Sequence, residues 1–170
     1  MTFLERFRQV ALWCAGPLVM LVFAPVDAVA QTDDTAIVAV FDIHNQGTPL
    51  SATVVRRLGD YLAGRLAMCG PYSVAPRDQL KERLAGQRVE SHKECYDQSC
   101  QIELGKQLSA DKSLATALLK IGSVCEVTSS LYDIRTEKTE LAAAQEGGCT
   151  EDSIRKSLQT VISLLCQRSK

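Results

Sequence analysis

Ala36-Ile37-Val38-Ala39-Val40-Phe41-Asp42-Ile43 is a nearly unbroken apolar run rich in β-branched residues. A strand with one wet face alternates apolar and polar side chains. A run without alternation reads instead as a strand buried on both faces, which places helices on each side of its sheet. The period changes immediately afterwards. Past a polar loop over 44–49, Ser51 can cap a helix whose apolar residues recur at Val54, Val55, Leu58, Tyr61, Leu62 and Leu66, with Cys69-Gly70-Pro71 as its stop. A doubly buried strand feeding an amphipathic helix points to an α/β fold.

Downstream, Tyr72 to Ala75 is short and strand-like, and Pro76 opens a largely exposed helix over 77–87 in which Leu80 and Leu84 are one turn apart. A polar loop over 88–98 follows. Ser99 is the expected cap of a third helix over 100–109, where Ile102, Gly105 and Leu108 share a face and Gly105 allows close approach of a neighbour. Three extended segments come next, over 114–121, 125–134 and 139–146. The short link Arg135-Thr136-Glu137-Lys138 makes the last two an antiparallel hairpin. Thr150 caps a final helix whose first acids, Glu151 and Asp152, suit its positive end, and Ile154, Leu158, Val161, Ile162 and Leu165 form its apolar stripe. The predicted order is βαβααβββα: one α/β domain over 31–170, with a mixed sheet, helices packed on it and disulfides stabilising it.

Working back to the start, Arg6 and Arg8 precede an almost wholly apolar stretch over 10–26, and Ala28-Val29-Ala30 is a small-x-small cleavage pattern. That is a secretory signal peptide over 1–30, cut before Gln31. A retained anchor is the alternative, since the stretch approaches the roughly 20 residues that span a bilayer. Pro17 and Pro25 within it, and the small residues after it, favour cleavage. Trp13 stands before Cys14 where a lipoprotein signal needs a small residue, so Cys14 leaves with the signal. Localisation is therefore expected to be periplasmic or secreted. The segment removed carries as many basic residues (Arg6, Arg8) as acidic ones (Glu5, Asp27), so the net charge stays near −1. Without a basic excess, neither a nucleic-acid surface nor an anionic-membrane surface is expected.

Six of the seven cysteines lie after the signal, and an oxidising compartment favours pairing them. In the hairpin, a turn centred between Thr136 and Glu137 sets Cys125 opposite Gly148 and beside Cys149, so Cys125 and Cys149 are expected to pair. Cys95 and Cys100 form a local loop entering a helix. Cys69 and Cys166, each at the end of a long helix, are left to each other, one of the many pairings six cysteines allow.

Three candidate sites deserve weighing against plainer readings. His92, Cys95 and Cys100 could supply three ligands to zinc, but the spacing is not that of a zinc knuckle and no fourth ligand is evident. Cys95 and Cys100 could be a redox pair, though thiol oxidoreductases commonly space theirs by two residues rather than four. Asp42 and His44 stand at the exit of the first strand, where open α/β sheets often bind ligands. An imidazole there could serve as a base, yet no nucleophile is tied to it. Gly147-Gly148 is too short for a phosphate loop, and the alternating charges over 77–88 read as a solvated helix face.

The strand Ile37-Val-Ala-Val-Phe-Asp42, the segment Cys100-Gln-Ile-Glu-Leu-Gly-Lys-Gln-Leu108 with Ala110-Asp111-Lys112, and Leu131-Tyr-Asp-Ile-Arg-Thr136 together resemble the amino-terminal-domain fold of TolB and its relatives. Those relatives include periplasmic domains of the curli-secretion-channel type and activators of penicillin-binding proteins. The cysteine framework is similar to secreted modules of deltaproteobacteria. The resemblance covers nearly all of 31–170 and implies a cell-envelope binding, scaffolding or assembly domain without catalysis, cofactor or metal. The matched motifs are those that make the fold, so no functional residue carries over. The implied partner is an envelope protein or glycan, engaged through a sheet edge or the loop over 44–49. The alternative is an envelope thiol-disulfide protein centred on Cys95 and Cys100.

Overall fold

The doubly buried strand is the second of five lines in a mixed sheet. The computed structural model describes residues 35–69, 71–86 and 95–168. The signal segment, Cys14 and His92 lie outside the described residues. Elements run β1 (Ala36–Val40), β2 (His44–Gln46), α1 (Ala52–Ala67), β3 (Tyr72–Val74), α2 (Arg77–Gly86), α3 (Gln98–Gln107), β4 (Lys112–Ile121), β5 (Val124–Asp133), β6 (Lys138–Gly147) and α4 (Glu151–Arg168). Spatial order is β3-β1-β4-β5-β6, with β2 also pairing β4. β1 is parallel to both β3 and β4, while β4, β5 and β6 form an antiparallel meander.

From Val38 onward, alternate residues of this run enter two separate cores, which is why it has no polar alternation, while Ile37 is 40% exposed. Val38 and Val40 pack with Leu58, Leu62 and Leu66 of α1 and with Leu158, Val161 and Leu165 of α4. Ala39 and Phe41 pack on the opposite side with Leu80 of α2 and with Ile102 and Leu104 of α3. Gly105 lets α3 lie against the β5–β6 hairpin, since a Cβ there would overlap Ile134 Cδ1.

Three local expectations are corrected. The stretch from His44 was expected to be loop, but His44–Gln46 is a strand, parallel to β4, with His44 facing Ala117. Val40 faces Leu114 and His44 faces Ala117, so the three residues Phe41 to Ile43 oppose only Ala115 and Thr116. The extra residue makes an interruption that no side-chain pattern announces. Second, α3 is capped by Asp97 rather than Ser99: Asp97 Oδ1 accepts from Cys100 N at 2.9 Å, and Ser99 Oγ instead donates to the same oxygen at 2.6 Å. A carboxylate already satisfying the helix N-terminus starts the helix two residues earlier.

Third, Cys125 faces Gly147 and not Gly148. Asp133 faces Lys138 across the turn, two residues earlier than the expected Glu140, with Glu137 at φ 58° and Thr136 N donating to Asp133 Oδ1 at 2.7 Å. An irregularity at Leu131/Tyr132 then leaves Glu140 unmatched and brings the register partly back. The cysteines fall into three pairs at disulfide distance: Cys69 with Cys166 and Cys95 with Cys100, both with Cα atoms 5.7 Å apart, and Cys125 with Cys149 at 5.1 Å. Among the described residues, no helix is long and apolar enough to cross a membrane.

Candidate functional site

The interruption between β1 and β2 opens a cleft of about 510 Å³. Ile43 and Val55, both buried, line it together with Ala52, Thr53 and Arg56 of the first turns of α1. Ser51 starts that helix, its Oγ accepting from Val54 N at 3.4 Å. Asp42, His44, Asn45 and Tyr96 complete the lining. Asp42 and His44, singled out by the sequence, therefore do share one concavity.

Each has a partner of its own. Asp42 Oδ1 is ion-paired with Arg77, whose other nitrogen donates to Asp60 Oδ1 at 2.8 Å. Arg77 reaches both carboxylates because it lies over Gly59, where a Cβ would come within 2.7 Å of its Nη1. The His44 ring stacks on Tyr96, and its Nδ1 is 3.1 Å from Gln46 Nε2. With that amide nitrogen donating, Nδ1 accepts, and the neutral ring carries its proton on Nε2.

Asn45 is spent on its own loop. Its Oδ1 accepts from Thr48 N at 3.0 Å and from Thr48 Oγ1 at 2.6 Å, and its Nδ2 donates to the carbonyls of Thr48 and Leu50. Arg56 and Thr53 differ: both are exposed, and among the described residues neither side chain makes a hydrogen bond or ion pair. The neighbouring Arg57, by contrast, reaches Glu151 at 3.2 Å.

Tyr96 stands between the two cysteines of the local pair, so the Cys95–Cys100 loop presents the cleft's aromatic wall. Cys95 is only 9% exposed and its carbonyl accepts from buried Gln101 Nε2 at 3.1 Å. The Ser99 hydroxyl, and next the Cys100 N–H, hold the Asp97 carboxyl below its ordinary range. Among the described residues, no group of three or more His, Cys, Asp or Glu side chains could hold a metal.

Sequence reasoning missed Arg56, Arg77, Tyr96 and the role of Asn45. Tyr96 had a signal, as the one aromatic inside the cysteine loop. Arg56 and Arg77 had none, because their significance lies in what they do or do not pair with across the fold.

No protein-family model matches this sequence, and no curated protein does. Solved structures do match it. The LpoB C-terminal domain from Salmonella enterica superposes with a TM-score of 0.54 at 14% identity, covering 69% of this chain and 85% of that one. Lipoprotein GNA1162 from Neisseria meningitidis gives 0.52 at 17% identity, covering 79% and 97%. TolB from Acinetobacter baumannii gives 0.50 at 12% identity, over 79% of this chain but 28% of the TolB chain. The chain is similar to all three in fold. At these identities the likeness concerns architecture, and function has to be argued from the cleft.

Proposed function

We propose that this chain is a non-enzymatic interaction module of the cell envelope, delivered by a signal peptide over 1–30 and acting in the periplasm or outside the cell on an envelope protein or glycan. The observation that carries the reading is the state of the cleft. Its acid is paired with Arg77, which it shares with Asp60, and its imidazole is held by Gln46 and Tyr96, whereas a guanidinium and a hydroxyl stand open at its rim. Such a site suits recognition, since its acid and its imidazole each already have a partner of their own. The two surfaces expected from sequence coincide here, because His44–Gln46 is itself a strand that pairs with β4 and with no other strand among the described residues. The fold shared with TolB and with a lipoprotein, GNA1162, supports an envelope setting.

The test is site-specific photo-crosslinking in the native host, with a photoreactive residue at exposed Thr53 and a control at exposed Lys156 on α4. Crosslinks to one envelope component from Thr53 and not from Lys156 are expected. Identical patterns from both positions, or none from Thr53, would overturn the cleft as the interaction site.

A further inference from the structure

The groups left open in the cleft say what it can hold. A sugar hydroxyl both donates and accepts, so a glycan site needs free acceptors as well as donors. Here most acceptors are committed, Asp42 Oδ1 to Arg77, Asn45 Oδ1 to Thr48 and His44 Nδ1 to Gln46, which leaves Asp42 Oδ2 and the Thr53 hydroxyl as the side-chain acceptors still open. The open cation is Arg56, a planar five-donor group with no partner among the described residues, beside Thr53 and the Tyr96 wall, over a floor of Ile43 and Val55. A guanidinium fork matches a carboxylate in two parallel hydrogen bonds, and an aliphatic side chain next to that carboxylate would meet the aromatic wall. A volume of about 510 Å³ accommodates a short peptide terminus and not a folded domain.

We propose that the cleft is a peptide site that takes a carboxylate with an adjoining aliphatic side chain, the carboxylate on Arg56 and the side chain against Tyr96. The buried apolar floor of Ile43 and Val55 beside Tyr96 favours a polypeptide with an aliphatic side chain over a glycan. This rests on reading the cleft as the interaction site, and it adds the chemical class of what enters.

The experiment uses the exported, purified chain, titrated by amide NMR with N-acetyl-L-leucine and, separately, with its uncharged isostere N-acetyl-L-leucinamide. Saturable shifts at Thr53, Arg56 and Tyr96 are expected with the carboxylate, and about tenfold weaker binding of the amide, the scale of one lost charge-assisted contact. Arg56→Gln should bring the carboxylate down to the level of the amide, while Arg57→Gln, whose arginine is already paired with Glu151, should bind as the parent does. Equal binding of both probes, unchanged binding in Arg56→Gln, or no saturable shift at these residues overturns the proposal. Crosslinking from Thr53 separates the two levels of failure. A partner captured there that a glycosidase digests and a protease does not would sink the peptide class while keeping the interaction site; capture of nothing would sink both.

Discussion

The imidazole of His44 lies flat against the ring of Tyr96, with centroids 4.0 Å apart and planes 5° from parallel. This contact joins the strand inserted after β1 to the cysteine loop before α3, two segments far apart in sequence. Offset ring pairs contribute about 0.5–1.5 kcal/mol beyond their burial. A double-mutant cycle of His44→Ala and Tyr96→Ala, read by urea denaturation, should return a coupling of that size. Coupling of zero would mean that the stack holds nothing in place.

Gly105→Ala should destabilise the fold by about 1–3 kcal/mol, the range for overpacking a tight contact. The new methyl overlaps Ile134 Cδ1. Ile134→Val removes that carbon, so combining the two substitutions should recover part of the loss in thermal melts even though each alone is unfavourable.

Thr116 and Ser129 face each other across β4 and β5, both buried, with hydroxyl oxygens 2.8 Å apart. Ser129→Ala leaves the Thr116 hydroxyl without that partner and should cost about 1–3 kcal/mol. Adding Thr116→Val removes the orphan, so the double variant is expected to be more stable than Ser129→Ala alone by chemical denaturation.

Acid should weaken the ends of α3 and of the β5–β6 turn. Asp97 is held below its ordinary 3.8 first by the Ser99 hydroxyl and next by Cys100 N–H, and Asp133 is held below the same value by Thr136 N–H and then the Thr136 hydroxyl. A lowered folded-state pKa contributes stability that is complete above the unfolded value near 3.8 and is lost as pH falls through the folded one. Asp97 is exposed and Asp133 only half-buried, so the effect is modest. Asp97→Ala should cost about 1 kcal/mol near pH 6, as lost caps do, and progressively less below pH 4. Urea midpoints measured across that range would show the narrowing.

The three cysteine pairs should contribute unequally. Cys69 and Cys166 are 97 residues apart, Cys125 and Cys149 are 24 apart, and Cys95 and Cys100 only 5. In the chain-entropy view a loop of about 100 residues gains roughly 4.7 kcal/mol and shorter loops less. Replacing both cysteines of each pair by serine should therefore lower the melting temperature in that order. The Cys95/Cys100 variant should instead report at Tyr96, as weakened stacking on His44 seen by NMR.

Local chemistry settled a good part of this protein in advance. Continuous apolar character over Ala36–Val40 requires cover on both faces, and the 3.6-residue stripe from Val55 to Leu66 requires a helix, wherever the rest of the chain goes. Ser51 and Thr150 announce helix starts because a capping side chain acts within three residues of itself. Strand β2, the hairpin register and the Asp97 cap were not legible. A three-residue strand carries no period, an irregularity at Leu131 shifts the pairing by one without altering the pattern of side chains, and Asp97 and Ser99 are both competent caps until the backbone chooses.

The cleft divides along the same line. Asp42 and His44 are visible because the end of a parallel strand is a place defined by chain direction. That Asp42 is paired with Arg77 from 35 residues away, that His44 is covered by Tyr96, and that Arg56 alone of two adjacent arginines is unpaired among the described residues all depend on which elements the packing brings together. Residue type and spacing act over one or two turns of chain. Charge pairing across a folded surface acts over ångströms in space, and it is this that turned a strand-end acid and histidine into walls and left one guanidinium open.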